Sequence, residues 1–273
     1  MKTLTNNAGQ KFKLGRIQPS TRRLGLSMKD LLSANVLPQI TLPTSTNYGA
    51  KATQSLNNIY LNGSLSDCVV ACGFHCDGVT SGNNGSEVLY TDAQVIQNYS
   101  AIGGYNPNAP LVSGENESDN GCSEEVAISY WEANGFPSGR WLKRAITLDP
   151  NNIEEIRTAL YLFENICFNI NLPDAWIDPF PSGNNFVWGK NGEPDQMNGH
   201  SFLGYDILAN GNLAIDTWGI LGEITPEAIS YYGNWSQGGQ LFTFLLPDMF
   251  YRLSKKSPIG YDENILIDFL NKL

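Results

Sequence analysis

Apolar residues recur at helical spacing in the first half of the chain and alternate with polar ones in the second. A helix is expected from near Ser66 or Cys68 through VVACGFHC, with Gly78 as its stop. Thr91-Asp-Ala-Gln94 has the form of a capping box, with Val95, Ile96 and Tyr99 following on one face. Ser123 is placed to cap a helix carrying Val126, Ala127, Tyr130 and Trp131, and Gly135 is placed to end it. Asp149-Pro150 opens a further helix, with Ile153, Ile156, Leu160 and Phe163 at helical spacing. Beyond it, Ile166, Phe168, Ile170 and Leu172 alternate with smaller or polar residues, as in a half-buried strand. Segments 200–208 and 212–218 flank Ala-Asn-Gly as a β-hairpin, and 241–246 reads as another strand.

Helices followed by strands imply an α+β protein with a helical lobe packed on a β-rich lobe. The expected organisation is a basic N-terminal arm over 1–45, a helical lobe over 46–148, a β-rich lobe over 149–250 and a helical tail over 251–273. The arm lacks regular periodicity and contains Pro19, Pro38 and Pro43, so an extended conformation is expected. The tail ends in DENILIDFLNKL, the pattern of a short amphipathic helix.

Charge adds to this picture. The chain carries a formal net charge of −10, which argues against nucleic acid as a partner, since phosphate binding needs a basic surface. Residues 1–51 nevertheless hold eight basic residues, among them Lys2, Lys13, Arg16, Arg22 and Arg23, against the single acid Asp30. A basic arm beside an acidic body suggests docking on the protein itself, self-association or an acidic partner. No apolar stretch approaches the ~20 residues of a membrane-spanning helix. The N-terminus lacks a signal-peptide pattern, so a cytoplasmic location is expected. Five cysteines are too few, and odd in number, for a disulfide scaffold.

Only two histidines are present, His75 and His200. A thiol nucleophile needs an imidazole to take its proton and a third group to orient that imidazole. Cys68 stands at an expected helix start, where the dipole and free N–H groups favour a thiolate. His200 opens one hairpin strand and Asp216 lies on the other, so a hydrogen bond between them is expected. Trp218 is expected to pack over that pair. His75 lies about two helical turns from Cys68, as a supporting or core histidine. Cys72 and Cys76 near His75 could suggest a metal site, but cysteines along one helical face more often pack, and no metal is assigned. Cys122 and Cys167 read as structural thiols.

These residues resemble the papain family of cysteine peptidases. In that family the His and the third residue follow the nucleophile by about 130–150 residues. Gly199-His200 before an apolar strand and Asp216-Thr-Trp-Gly219, where the family has Asn-Ser-Trp-Gly, are the specific matches. Leu42-Pro43 before Tyr48 resembles the family's mature start, and Asp119-Asn-Gly-Cys122 its acidic Gly/Cys segment. The resemblance covers roughly 42–250 and is nearest to bacterial and bacteriophage-encoded papain-like proteins with an Asp-Cys element and a His seven residues later. It implies a papain-like two-lobe fold and a Cys68–His200–Asp216 triad that cleaves peptide or isopeptide bonds through an acyl-enzyme, without a cofactor. It also implies that Asn62, in place of a glutamine six residues before the Cys, is the oxyanion donor. A bacteriophage origin would make a virion location equally compatible. Three departures stand out: Asn62 is one methylene shorter than glutamine, Asp67 adds a charge beside the thiol, and Val69 replaces an aromatic residue. The competing expectation is a structural or virion-associated interaction protein that keeps the fold with weak or no catalysis.

Overall fold

The computed structural model describes residues 2–6, 9–22, 25–181, 183–250, 253 and 262–272. Arg23 and most of 251–261, expected in the arm and the tail, lie outside these described residues. The α+β expectation holds, with a helical region packed against a mixed seven-stranded sheet.

The chain opens with a small antiparallel pair, β1 (Thr3–Thr5) and β2 (Lys11–Lys13). A short helix α1 (Met28–Ser33) follows, its Ser27 cap and Asp30 bonded reciprocally in a capping box. The arm expected to be extended therefore contains regular structure. Phe12, Leu14, Met28 and Leu31 are essentially inaccessible to water, so it belongs to the core.

The helical region comprises α2 (Thr53–Leu56), α3 (Cys68–Asn83), α4 (Asp92–Gly103), a two-strand ribbon of β3 (Leu111–Val112) and β4 (Glu115–Asn116), and α5 (Glu124–Asn134). The Thr91 capping box forms with Gln94, and Ser123 accepts from the Val126 N–H, as their sequences require. Helix α3 runs five residues beyond Gly78. That glycine serves close approach, not termination: a Cβ there would overlap the Ser55 hydroxyl. Residues 68–82 of α3 are all buried, which makes it an interior helix with no solvent face.

The sheet has the order β5-β11-β6-β8-β9-β10-β7. Its strands are β5 (Arg144–Leu148), β6 (Ile166–Pro173), β7 (Phe186–Trp188), β8 (Pro194–Ile207), β9 (Leu213–Thr217), β10 (Ile220–Ile224) and β11 (Gln240–Leu245). All neighbours are antiparallel except β7 and β10. The β8–β9 hairpin turns through Ala209-Asn210-Gly211, and β8 starts six residues earlier than expected. Residues 144–148, expected in the helical lobe, form a sheet strand, because β11 offers a partner for RAITL that local pattern cannot reveal. Helix α6 (Ile153–Phe163) begins after the Asp149-Pro150 turn, with Asn152 as its cap, and α7 (Pro226–Tyr232) is capped by Thr225. A last helix, Glu263–Asn271, matches the amphipathic pattern of the tail. No helix among the described residues is long and apolar enough to cross a membrane.

The Phe12 ring stacks on Phe180 at 4.4 Å between centroids and meets Trp218 edge-on at 5.8 Å. Phe12→Ala should therefore destabilise the fold by about 3–5 kcal/mol, as expected for a fully buried aromatic. The midpoint of denaturant unfolding measures this, and a loss under ~0.5 kcal/mol would show that the arm is not part of the core.

Candidate functional site

Cys68 is the first residue of α3, with Asp67 at the cap position. The start of the helix points at β8, so the Cys68 sulfur meets main-chain groups of Ser201, the residue after His200. The main chain of Gly15, in the arm, also acts on the thiol. Burial pushes the Cys68 thiol up to about 12, reinforced by the nearby Asp67, while the Ser201 and Gly15 main chains and Arg16 pull the other way. The thiol is therefore neutral in this state.

Asp67 does not oppose a thiolate with a full charge. Burial raises its carboxyl well above the ordinary range, and the Asn62 side chain only partly offsets this. Asn62, expected as the oxyanion donor, is buried and its amide is engaged within its own loop. Its side-chain amide donates to the Leu65 carbonyl at 3.0 Å, so it braces the loop before α3, while both carboxyl oxygens of buried Asp67 lack a hydrogen-bond partner among the described residues.

His200 and Asp216 do not pair. Leu203 faces Asp216 across β8 and β9, and alternation along the strands puts His200 on the face that Thr217 shares. His200 Nε2 lies 2.8 Å from the Thr217 hydroxyl, and its Nδ1 makes no hydrogen bond among the described residues, to Cys68 or otherwise. Trp218 stacks on the imidazole at 4.0 Å between centroids, so the expected packing contact is present. Asp216 instead stands 3.2 Å, carboxylate to Nδ1, from His75. This is an approach and not a hydrogen bond, since neither Asp216 carboxyl oxygen has a hydrogen-bond partner among the described residues. His75 Nδ1 also lies 3.5 Å from the Ser55 hydroxyl, with Tyr60 beside the ring. Burial pushes both imidazoles down to about 3 and the Asp216 carboxyl well up. Burial thus disfavours the charged forms of both His75 and Asp216.

The arm crosses the front of Cys68. The Arg16 N–H donates to the Gly199 carbonyl at 3.1 Å. On the other wall, the Cys122 N–H donates to the Gly15 carbonyl and the Ile17 N–H to the Cys122 carbonyl, both at 3.0 Å, which forms a parallel bridge. Gly15 is required here: a Cβ would overlap the Ser66 carbonyl, just as one at Gly199 would overlap the carbonyl of Arg16. The side chains lock the arm in place. The Lys13 ammonium lies 2.8 Å from Asp119, which also accepts from the Ser66 N–H and the Tyr99 hydroxyl. Lys2 lies 3.3 Å from Asp174. The Arg16 guanidinium forms a two-point pair with Glu124. Sequence reasoning missed Gly15, Arg16, Glu124 and Thr217. The Gly199 and 119–122 segments that they touch were visible through the family resemblance alone.

Cys72 and Cys76 meet Cys167 of β6 at sulfur distances of 3.2 and 3.3 Å, and the three sulfurs lie within 4.8 Å of one another. Such a trio could hold a thiophilic ion. Burial drives all three thiols strongly toward the neutral form in the protein alone, and ligation would require the incoming ion to displace their protons. His75 is not part of this group.

No protein-family model matches the chain, and no curated protein matches it by sequence. Solved structures do resemble it. Xylellain, a cysteine protease from Xylella fastidiosa, aligns over 90% of this chain and 97% of its own, at 11% identity and a TM-score of 0.56. ProCathepsin B S9 from Trypanosoma congolense aligns over 86% of both chains at 10% identity and a TM-score of 0.55. The cysteine protease and lectin-like domains of Cwp84, a surface-layer-associated protein of Clostridium difficile, align over 85% of this chain and 55% of theirs, at 9% identity and a TM-score of 0.52. The chain therefore shares the papain-like fold of cysteine proteases.

The two buried imidazoles make stability depend on pH. Their folded values near 3 lie below the ordinary ~6.5, so between these limits the unfolded chain binds protons that the folded chain excludes. Each contribution is complete above ~6.5 and is lost as pH falls toward 3, at up to about 1.4 kcal/mol per pH unit. The raised carboxyls of Asp67 and Asp216 act in the opposite direction, so the effect is read as a difference. The stability advantage of the parent over His200→Gln should shrink steadily between pH 6 and 4 in urea titrations. A difference that is constant over this range would show that the imidazole is not excluded from protonation.

Proposed function

We propose that this protein is a thiol peptidase of papain-like fold whose cleft is held closed by its own N-terminal arm. One observation carries the reading. A cysteine at the start of the central helix lies under an extended main chain that is hydrogen-bonded to both walls of the cleft, through Gly199 and Cys122. A surface that binds a peptide main chain across a thiol is what acyl transfer from a peptide requires.

In the open state, His200 takes the Cys68 proton and the thiolate attacks the peptide carbonyl. The same imidazole then protonates the leaving amine, and water hydrolyses the thioester. Thr217 orients the ring through Nε2, which leaves Nδ1 as the nitrogen that exchanges a proton with the sulfur. The Ser201 main chain and the dipole at the start of α3 stabilise negative charge at the thiol. With the Asn62 amide engaged by the Leu65 carbonyl, the Cys68 N–H serves as the oxyanion donor.

The integration of the arm into the core favours a second reading, in which the plug is permanent and the protein is an interaction scaffold, such as a particle component. Gly15→Leu separates the two, since it forces the arm away from Ser66 while keeping the whole chain. The peptidase reading expects this variant to hydrolyse a peptide library and to alkylate at Cys68 at least about tenfold faster than the parent, with Cys68→Ala abolishing both. A folded Gly15→Leu protein with an accessible thiol and no hydrolysis would leave the scaffold reading.

Thr217→Val in the Gly15→Leu background should lower kcat by about 100-fold, the scale of losing a positioned general base, and displace the acid limb of the pH–rate profile. Asp216→Asn should leave kcat within about threefold, because Asp216 lies on the opposite face of β9 from His200. The reverse ranking would return the orienting role to Asp216.

A further inference from the structure

The pocket that receives Arg16 belongs to the body of the protein, not to the arm. Its floor is Glu124, the first residue of α5, and its walls are Asn171 of β6 and the Gly238 carbonyl ahead of β11. The guanidinium is fully buried, and the Glu124 side chain is only 3% exposed. Nε lies 3.1 Å from one Glu124 oxygen and Nη2 lies 2.7 Å from the other. Nη1 donates to the Gly238 carbonyl at 2.6 Å and reaches Asn171 Oδ1 at 3.4 Å. A planar fork with acceptors on several sides suits a guanidinium and not the point charge of an ammonium.

Gly15, the neighbouring residue, packs against the Ser66 carbonyl two residues before Cys68, and its main chain favours the Cys68 thiolate. The pocket therefore lies one residue along a bound main chain from the nucleophile. If the arm leaves, the Glu124 carboxylate stays behind at the edge of the cleft without its cation. A deeply placed carboxylate without a partner is strongly unfavourable, so an occupant with a matching charge is selected. Specificity built on a buried charge also rejects neutral isosteres far better than an apolar pocket rejects an altered methylene.

We propose that Glu124, Asn171 and the Gly238 carbonyl form a substrate pocket for an arginine side chain, which Arg16 fills in the closed state. The enzyme then acts on peptides with an arginine one residue from the residue held at Cys68. The proposal rests on the thiol peptidase reading, and its test separates the two.

The test uses full-length Gly15→Leu/Arg16→Ser protein and acyl-dipeptide epoxides that differ only in arginine, citrulline or norleucine. The arginine probe should label Cys68 at least tenfold faster than the citrulline probe, and Glu124→Gln should bring that ratio close to one. Calorimetry with an acyl-arginine amide on the Cys68→Ala form of the same variant should show binding that Glu124→Gln abolishes. Equal labelling by arginine and citrulline probes, or a ratio that survives Glu124→Gln, overturns the pocket while leaving the peptidase intact. Glu124-dependent binding of the amide without labelling by any probe keeps the pocket and removes the peptidase. If the double variant does not fold, the same probes are compared on the unmodified chain. Rare opening of the arm slows every probe by the same factor, so the arginine-to-citrulline ratio decides the matter in the same way.

Discussion

The hydrogen bonds between the arm and the two walls of the cleft constrain much of the rest of the structure. Buried carbonyl and N–H groups need partners, and those of Gly199 and Cys122 find theirs in Gly15, Arg16 and Ile17. This three-layer arrangement brings the main chain against Ser66 so closely that only glycine fits at 15. It also excludes water from Cys68 and His200, which is why the thiol and the imidazole are both neutral. Site chemistry and arm position are thus two aspects of one packing arrangement.

The charges of the arm follow the same logic. Lys13 and Arg16 are each matched to a buried acid, Asp119 and Glu124. Such pairs seldom add much net stability, because desolvation offsets their attraction, but breaking one leaves a stranded charge. Their main effect is on register: a shift of the arm by one residue would remove both matches and place a side chain where Gly15 must be. The outer contact between Lys2 and Asp174, with both side chains substantially exposed, adds little.

Much of this architecture was legible in the sequence. The capping residues Thr91 and Ser123 and the Ala-Asn-Gly turn each express a local rule and form as that rule requires. The alternating residues of β6 do form a strand, but one buried on both faces at the centre of the sheet and not on one alone. Strand β5 and the arm were not legible, because both are held by distant partners: β11 for residues 144–148, and Trp218, Phe180 and Glu124 for the arm. The Asp216 error has the same origin. Spacing placed His200 and Asp216 on neighbouring strands, but the register decides which face each occupies. The Leu203–Asp216 pairing turns Asp216 toward His75 and leaves Thr217 for His200. Gly78 was misread because a helical glycine that ends a helix and one that admits a neighbour look alike in sequence.

Trp218 joins the two halves of this arrangement. Its backbone adopts a positive φ of 55°, uncommon for a bulky residue, and its indole N–H donates to the Lys13 carbonyl at 3.1 Å. One neighbour of the ring is the imidazole of His200, and others are Phe12 and Phe180. Withdrawal of the arm would take away Phe12 and the carbonyl together and bring water to the indole. The chain thus carries its own optical gauge: a red shift in tryptophan emission that disappears in Trp218→Phe would report the open fraction directly, without a substrate or a label.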